Sequence, residues 1–127
     1  TNRVLLPLIE LRDEPWLSGA CPSSCGEVVK ATCRAAGFEP HVAYESDDYH
    51  VLQGYVAAGL GVTLLPDLAL PTLRSDVVVR PIEPQAPLRR VWAATRKARS
   101  AGTDAMLSVL TDVGERFARQ HAGLKAA

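Results

Sequence analysis

Two hydrophobic periods take turns along this chain. Trp16 to Ala20, just after Pro15, forms a short apolar run that reads as a strand and gives way to a loop rich in Ser, Gly and Pro. Helical spacing follows, with Val28, Val29, Thr32, Cys33 and Ala36 on one mostly apolar stripe. Ser24-x-x-Glu27 fits a capping box at the start of this helix, each side chain answering an orphan N–H of the first turn. Gly37 suits the left-handed residue after the last turn, and Phe38 the apolar contact that accompanies such an ending.

His41 to Glu45 reads as the next strand, with Val42 and Tyr44 expected on one face. Ser46 is placed to cap a second helix whose first turn carries Asp47 and Asp48, favourable near the positive end of the helix dipole. Val51, Leu52, Tyr55, Val56 and Gly59 make its expected inward face. The run Val56-Ala57-Ala58-Gly59-Leu60-Gly61-Val62-Thr63-Leu64-Leu65-Pro66 then packs a helix end, two glycines and an apolar strand together. In a dinucleotide-binding fingerprint the glycines follow a strand and open a helix. Here the order is reversed, so the glycines end a helix and permit close packing on the sheet; they do not cradle phosphate.

Val62 to Leu65 is a continuous apolar run of the kind buried in a parallel sheet. Pro66 and Asp67 begin a short helical piece to about Leu73, and Val77 to Val79 reads as a strand. The proline-rich stretch Pro81 to Pro87 is a connection. Arg90 to Thr95 reads as a return strand, and about Thr103 to His121 as an amphipathic helix with Met106, Leu110, Val113 and Phe117 in a stripe. Alternating strands and helices imply right-handed crossovers: an α/β fold with an open, mostly parallel twisted sheet and helices on both faces. The return strand and final helix find no partner in a compact four-strand unit, and they point to a second lobe that this chain is too short to hold.

With 127 residues the chain has the size of about one small domain. Its formal net charge is zero, which gives no electrostatic reason to expect binding to nucleic acid or anionic membranes by this chain alone. No apolar run approaches the roughly 20 residues of a membrane-spanning helix, and no signal-peptide pattern is visible. The first residue is Thr, and the expectation is a piece of something longer. Cys21, Cys25 and Cys33 are an odd number, against a disulfide framework. Cys21-x3-Cys25 lacks the second pair that zinc requires, and His41, His50 and His121 show no ligand spacing, so no metal is expected. A redox role for Cys21 and Cys25 is weighed against structural cysteines in a reducing cytoplasm, and Cys33 is assigned to the core.

No nucleophile–base–orienter set is visible, and no serine lies in a Gly-x-Ser-x-Gly elbow. Asp47 and Asp48 are adjacent and point different ways, which suits the helix dipole better than a carboxylate pair. Arg89, Arg90, Arg96, Lys97 and Arg99 read as solvated surface. The architecture says more. Open α/β sheets bind ligands outside the carboxyl ends of their strands, beside helix N-termini. Those ends are Ser18-Gly19-Ala20-Cys21-Pro22-Ser23-Ser24 and Ser46-Asp47-Asp48, with Leu65-Pro66-Asp67 delivered to the same edge. Ser24 and Ser46 read equally well as plain caps. The two aspartates disfavour a second anion, which makes a simple dicarboxylate less suited than a ligand anchored on the first loop.

Several stretches together resemble one family: Leu11-x-Asp13-Glu14-Pro15-Trp16, Ala35-Ala36-Gly37-Phe38-Glu39-Pro40, the Val56–Pro66 run, Arg80-Pro81-Ile82 and Arg90-Val91-Trp92-Ala93-Ala94-Thr95-Arg96. The chain is similar to the C-terminal part of the effector-binding domain of LysR-type transcriptional regulators, which shares the fold of type 2 periplasmic binding proteins. The resemblance implies that residues 1–88 are the second regulatory subdomain. It gives 89–127 to the first subdomain as its return strand and C-terminal helix, the N-terminal part of that subdomain being absent. It implies a small-molecule effector in the cleft between subdomains, contacting Ser18, Gly19, Ala20, Ser46 and Asp47, with no catalytic residues, cofactor or metal. It implies a cytoplasmic homodimer or tetramer without membrane contact, binding DNA through an N-terminal helix-turn-helix outside this sequence. The Cys21-Pro22-Ser23-Ser24-Cys25 loop departs from the pattern. A solute-binding protein of the same fold, and a small α/β enzyme using Ser or Cys of the 18–25 loop, are the alternatives.

Overall fold

Strand β2 organises the first of the two units, Thr1–Pro87 and Leu88–Ala127, into which the chain divides. The structure, a computed structural model, describes residues 5–20, 23–83, 86–88 and 90–125. Cys21, Pro22 and Arg89 lie outside these, and with them the Cys21–Cys25 pairing and one member of the basic cluster. In the first unit the chain runs β1 (Leu6–Pro7), a 3-10 turn (Leu8–Leu11), β2 (Trp16–Ser18), α1 (Ser24–Ala35), β3 (Val42–Glu45), α2 (Tyr49–Ala57), a 3-10 helix (Asp67–Thr72) and β4 (Ile82–Glu83). β2 pairs in parallel with β3 and makes a parallel bridge from Trp16 to Val62 on its other side. β1 pairs in parallel with β4.

The core forms where α1 covers β2. Leu8, Trp16, Val29, Cys33 and Phe38 are buried together, with Val42, Val62, Leu64 and Ile82 packed around them. The Trp16 indole N–H donates to the Leu11 carbonyl at 3.1 Å, so the ring is buried without an orphan donor. Cys33 is fully buried, as expected, and burial pushes its thiol up from the ordinary 9.0 to about 11, with Glu39 adding to the shift. Gly37 takes φ +93°, the Phe38 N–H returns to the Cys33 carbonyl, and the Phe38 ring sits 6.0 Å from Trp16. That is the helix ending the pattern predicts.

Both helix starts differ from expectation by a residue or two. Ser23, not Ser24, is the N-cap of α1; its hydroxyl accepts from the Gly26 N–H at 3.2 Å. Asp48, not Ser46, caps α2 by accepting from the His50 N–H at 2.8 Å. In each case another small polar residue stood within two positions of the one chosen, and sequence alone does not rank candidates of equal capping strength. Val28 and Val51, assigned to inward faces, are exposed, and Gly59 is exposed as well. Gln53 is buried in their place, its side-chain carbonyl accepting from the Arg74 N–H at 2.9 Å.

Val42 and Tyr44 do not share a face. The pairing runs Trp16↔Val42 and then Leu17↔Tyr44, so Ala43 is an extra residue in β3 and the alternation breaks there. Val42 joins the cluster around Trp16, whereas the Tyr44 ring lies 5.4 Å from Tyr55 of α2. Strand length also contracts. The first strand ends at Ser18 rather than Ala20, and the apolar run after α2 pairs only at Val62. Gly61, at φ +154°, makes that pairing possible: a Cβ there would collide with the Pro15 carbonyl oxygen. Val77–Val79 forms no strand; its place beside β1 is taken by Ile82–Glu83, from within the stretch read as a connection. The expected helical piece after Pro66 is present as the 3-10 helix.

In the second unit, α3 (Ala101–Lys125) is longer than the expected 103–121. Ser100 starts it, accepting the Thr103 N–H on its hydroxyl and the Asp104 N–H on its carbonyl. Arg90–Thr95, expected as a return strand, forms no strand among the described residues and is exposed. The α3 stripe is likewise uncovered: Met106, Leu110 and Val113 are exposed, and only Phe117 is half-buried. Arg90, Arg96 and Lys97 are exposed as expected, while Arg99 pairs with Asp104 at 2.8 Å.

Candidate functional site

Parallel pairing of β2 and β3 brings their carboxyl ends, and the loops that leave them, side by side. The Ser46 N–H donates to the Ser18 carbonyl at 2.9 Å, continuing the ladder one step past the strands. The Asp47 carboxylate then accepts from the Ala20 N–H at 3.0 Å. Ser18, Ala20, Ser46 and Asp47, four of the five residues picked out from sequence, are therefore tied in two direct contacts. Gly19, the fifth, is buried between them and α1.

The first loop is held tightly onto the start of α1. A Cβ on Gly26 would lie 2.6 Å from the Gly19 carbonyl oxygen, and a Cβ on Gly19 would meet the Ser23 hydroxyl and the Cys25 Cβ at 2.8 and 2.9 Å. Two facing glycines let loop and helix touch backbone to backbone. The Ala20 carbonyl also accepts from the Ser23 N–H at 2.7 Å, which closes the loop on itself.

Asp47 does not serve the helix dipole as sequence suggested. With Asp48 acting as the cap and the Ser46 hydroxyl accepting from the Asp48 N–H at 3.2 Å, the Asp47 side chain is free to reach across to the first loop. Ser18 supplies a second unusual group: the residue is 1% exposed and its hydroxyl has no hydrogen-bond partner. A buried hydroxyl without a partner carries a desolvation cost of about 1–3 kcal/mol, so it stands out among the polar groups here. Cys25 and Tyr49 meet at the same end of the unit, the tyrosine hydroxyl donating to Sγ at 3.2 Å. That contact gives the thiol a donor and not a base, which is the wrong partner for a nucleophile. Sequence reasoning missed Tyr49 as a neighbour of this loop; the two residues are 24 positions apart and carry no local signal. Among the described residues, no group of three or more His, Cys, Asp or Glu could hold a metal ion.

Two strand ends, two loops and helix starts facing them are the arrangement in which open α/β sheets take small ligands. The LysR substrate binding domain matches residues 1–115. The chain belongs to this family. It is 30% identical over 95 residues to the HTH-type transcriptional regulator AlsR of Bacillus subtilis (strain 168), a match over 72% of this chain and 31% of that protein. It is 40% identical over 60 residues to the transcriptional dual regulator GltC of the same organism, over 47% of this chain and 20% of that protein. An uncharacterized HTH-type transcriptional regulator, YwbI, is 35% identical over a stretch of the same length. The LysR chain therefore spans less than a third of the length of the regulators it matches. Its helices and small parallel sheets suit the α/β fold, of the periplasmic-binding-protein kind, that this family implies. Among the described residues, no helix is long and apolar enough to cross a membrane.

Proposed function

We propose that this LysR substrate-binding chain senses a small-molecule effector on behalf of a transcription regulator, and performs no chemistry of its own. The observation that carries this reading is the direct joining of the 18–20 and 46–47 loops at the carboxyl ends of two parallel strands, in a member of a family whose relatives are named as transcriptional regulators. Ser18, Gly19, Ala20, Ser46 and Asp47 are the effector contacts in this reading. Residues 1–88 form the second regulatory subdomain, an open and mostly parallel sheet with helices on both faces, of the type 2 periplasmic-binding-protein kind. Residues 89–127 supply the return strand and last helix of the first subdomain, and the effector lies in the cleft between the two.

The regulator works in the cytoplasm as a homodimer or tetramer and contacts DNA through a helix-turn-helix outside this chain. An effector that binds the closed state more tightly than the open one shifts the population toward closure, and with it the angle between paired subunits. A ligand of equal affinity for both states would change nothing.

The test uses the full-length regulator, its DNA footprint and its quaternary geometry, with and without a compound that raises its melting temperature. Effector at saturation should alter both. Ser46→Ala, which removes one polar contact at the rim, should weaken that compound by roughly five- to tenfold, about 1 kcal/mol. An unchanged footprint at saturation would defeat the mechanism. Conversion of the compound into a product would return the enzyme reading.

A further inference from the structure

Residues 67–80 are clamped at both ends and fastened once in the middle. Upstream, Val62 bridges to Trp16, and downstream the Pro81 carbonyl accepts from the Leu6 N–H at 3.0 Å. Between these anchors the polar contacts are local. The Ala69, Leu73 and Val77 N–H groups donate to the Pro66, Leu70 and Arg74 carbonyls, the Thr72 hydroxyl donates to the Ala69 carbonyl, and Arg74 pairs with Asp76 at 2.8 Å. Among the described residues, the one hydrogen bond that leaves the stretch runs from the Arg74 N–H to Gln53 Oε1 of α2, at 2.9 Å. No residue from 67 to 80 is buried; its apolar side chains are half-buried at most, and Leu68 and Val78 stand in the open. We propose that residues 67–80 form a strap that lifts and closes while the core stays folded, and that Gln53 is its latch.

The physical argument has two parts. Segments with few buried apolar contacts and mostly local hydrogen bonds open at a small fraction of the global free energy. The strap fits that description, and the core made by Trp16, Val29, Cys33 and Phe38 does not. The second part is the latch itself. Gln53 is 1% exposed beside the buried Leu52, and a buried amide on a helix face is costly unless it holds something. What it holds is the Arg74 backbone. The bond also fixes the amide's orientation, because a flipped side chain would set donor against donor.

Nε2, the other half of the amide, is buried with no hydrogen-bond partner among the described residues. The closed state therefore gains one bond at Oε1 and carries a desolvation cost at Nε2, both at the point of attachment. Lifting the strap gives up the first and relieves the second as water reaches the amide. A latch of that kind holds weakly. It does not depend on what the joined loops at Ser18 and Ser46 bind.

The experiment is hydrogen–deuterium exchange on the full-length regulator, comparing peptides from 67–80 with peptides spanning β2 and α1. Gln53→Leu removes the latch from the helix side. Arg74→Pro removes the donor from the strap side, and Leu73, at φ −67° and ψ 133°, already has the extended conformation that a following proline requires. Arg74→Ala is the control: it keeps the N–H and loses only the exposed pair with Asp76. Exchange in 67–80 should already be faster than in β2 and α1. Both latch variants should speed it by roughly tenfold or more and leave β2 and α1 unchanged. Arg74→Ala should stay within about twofold of the parent. Arg74→Pro changes an exposed position, so it decides the matter even where Gln53→Leu upsets the core. Unaltered exchange of 67–80 in Arg74→Pro overturns the proposal. Acceleration there that spreads equally to β2 and α1 overturns it as well, since the segment would then open only with the whole unit. Arg74→Ala matching Arg74→Pro would move the latch to the ion pair and remove Gln53 from the role.

Discussion

Each unit contains one tryptophan, and the two live in opposite surroundings. Trp16 is fully buried, its indole N–H bonded and its ring beside Phe38, whereas Trp92 is 79% exposed on a segment that forms no strand. The same division holds for aliphatic residues. Leu8, Leu17, Val29 and Leu52 are enclosed in the first unit, while Met106, Val109, Leu110 and Val113 stand open on α3 in the second. Both helices nevertheless carry a clear apolar stripe. Periodicity says that a face is meant to be covered, and it is silent on which segment covers it. In the first unit β2 is close at hand and short crossovers bring α1 and α2 back onto it. In the second, α3 has only the 90–100 segment as its own.

The sharpest way to break this contrast is to truncate each tryptophan in turn and follow unfolding by circular dichroism. Trp16→Ala should cost about 3–5 kcal/mol in urea denaturation, enough to unfold the first unit. Trp92→Ala should stay within about 0.5 kcal/mol. Equal losses would mean that the second unit has a core of its own.

Glycine substitutions give the next largest effect, and with opposite signs in the two units. Gly61→Ala drives a methyl into the Pro15 carbonyl and should cost about 2–3 kcal/mol. Gly102→Ala, in the first turn of α3 with only the Ser100 hydroxyl nearby at 3.8 Å, should instead raise helix content by up to about 1 kcal/mol.

The thiol of Cys33 tests the dryness of the first core through pH. Its folded value of about 11 lies above the ordinary 9.0, so between those values the unfolded chain loses the proton and the folded chain keeps it. Stability from this group is complete below pH 9.0 and drains away as pH rises toward about 11. Cys33→Ala should be less stable at pH 7 but should fall less steeply over that window. Equal slopes would show that water reaches the thiol.

Caps come next. Ser23→Ala should cost the first unit about 1 kcal/mol, and Ser100→Ala should lower the helicity of α3 without moving the denaturation midpoint of the first unit. Smallest of all is Glu39→Gln. Arg34 holds that carboxyl below its ordinary value through a two-point contact at 2.7 and 2.8 Å, but both groups are exposed. Its contribution is present at neutral pH and fades on acidification, and it should be barely measurable in 0.15 M salt.

How much of this was legible in sequence follows the same division between local and distant causes. The α1 stripe through Val29 and Cys33, with its Gly37–Phe38 ending, is written in adjacent residues and emerged with Val28 turned to solvent. Gly59 and Gly61 were correctly read as helix-ending and close-packing residues because element order is itself local information. Gln53 was not legible as a buried residue, since its partner is a backbone amide 21 positions away. Nor was the Val77–Val79 run legible as unpaired: its strand propensity is real, yet the edge of β1 went to Ile82–Glu83. Topology picked out the segments 18–24 and 46–48, the family resemblance narrowed them to residues 18 to 20 and 46 to 47, and the proximity of the two loops follows from parallel pairing. The Asp47–Ala20 bond could not be read, because it depends on Asp48 rather than Ser46 or Asp47 taking the cap.

Ala43 is a single extra residue in β3, and it acts as a phase setter for everything downstream. Were it drawn into the ladder as a regular residue opposite Leu17, Tyr44 would inherit Val42's side of the strand and Glu45 would trade sides with it. The Ser46 amide and the Asp47 carboxylate would then leave the sheet rotated away from Ser18 and Ala20. The aim of the second loop is thus a matter of counting residues rather than of their identity. One codon gained in the paired part of β3 would re-aim the loop and leave every residue of the first loop unchanged, whereas loss of Ala43 itself would keep Tyr44 opposite Leu17 and Glu45 opposite Ser18.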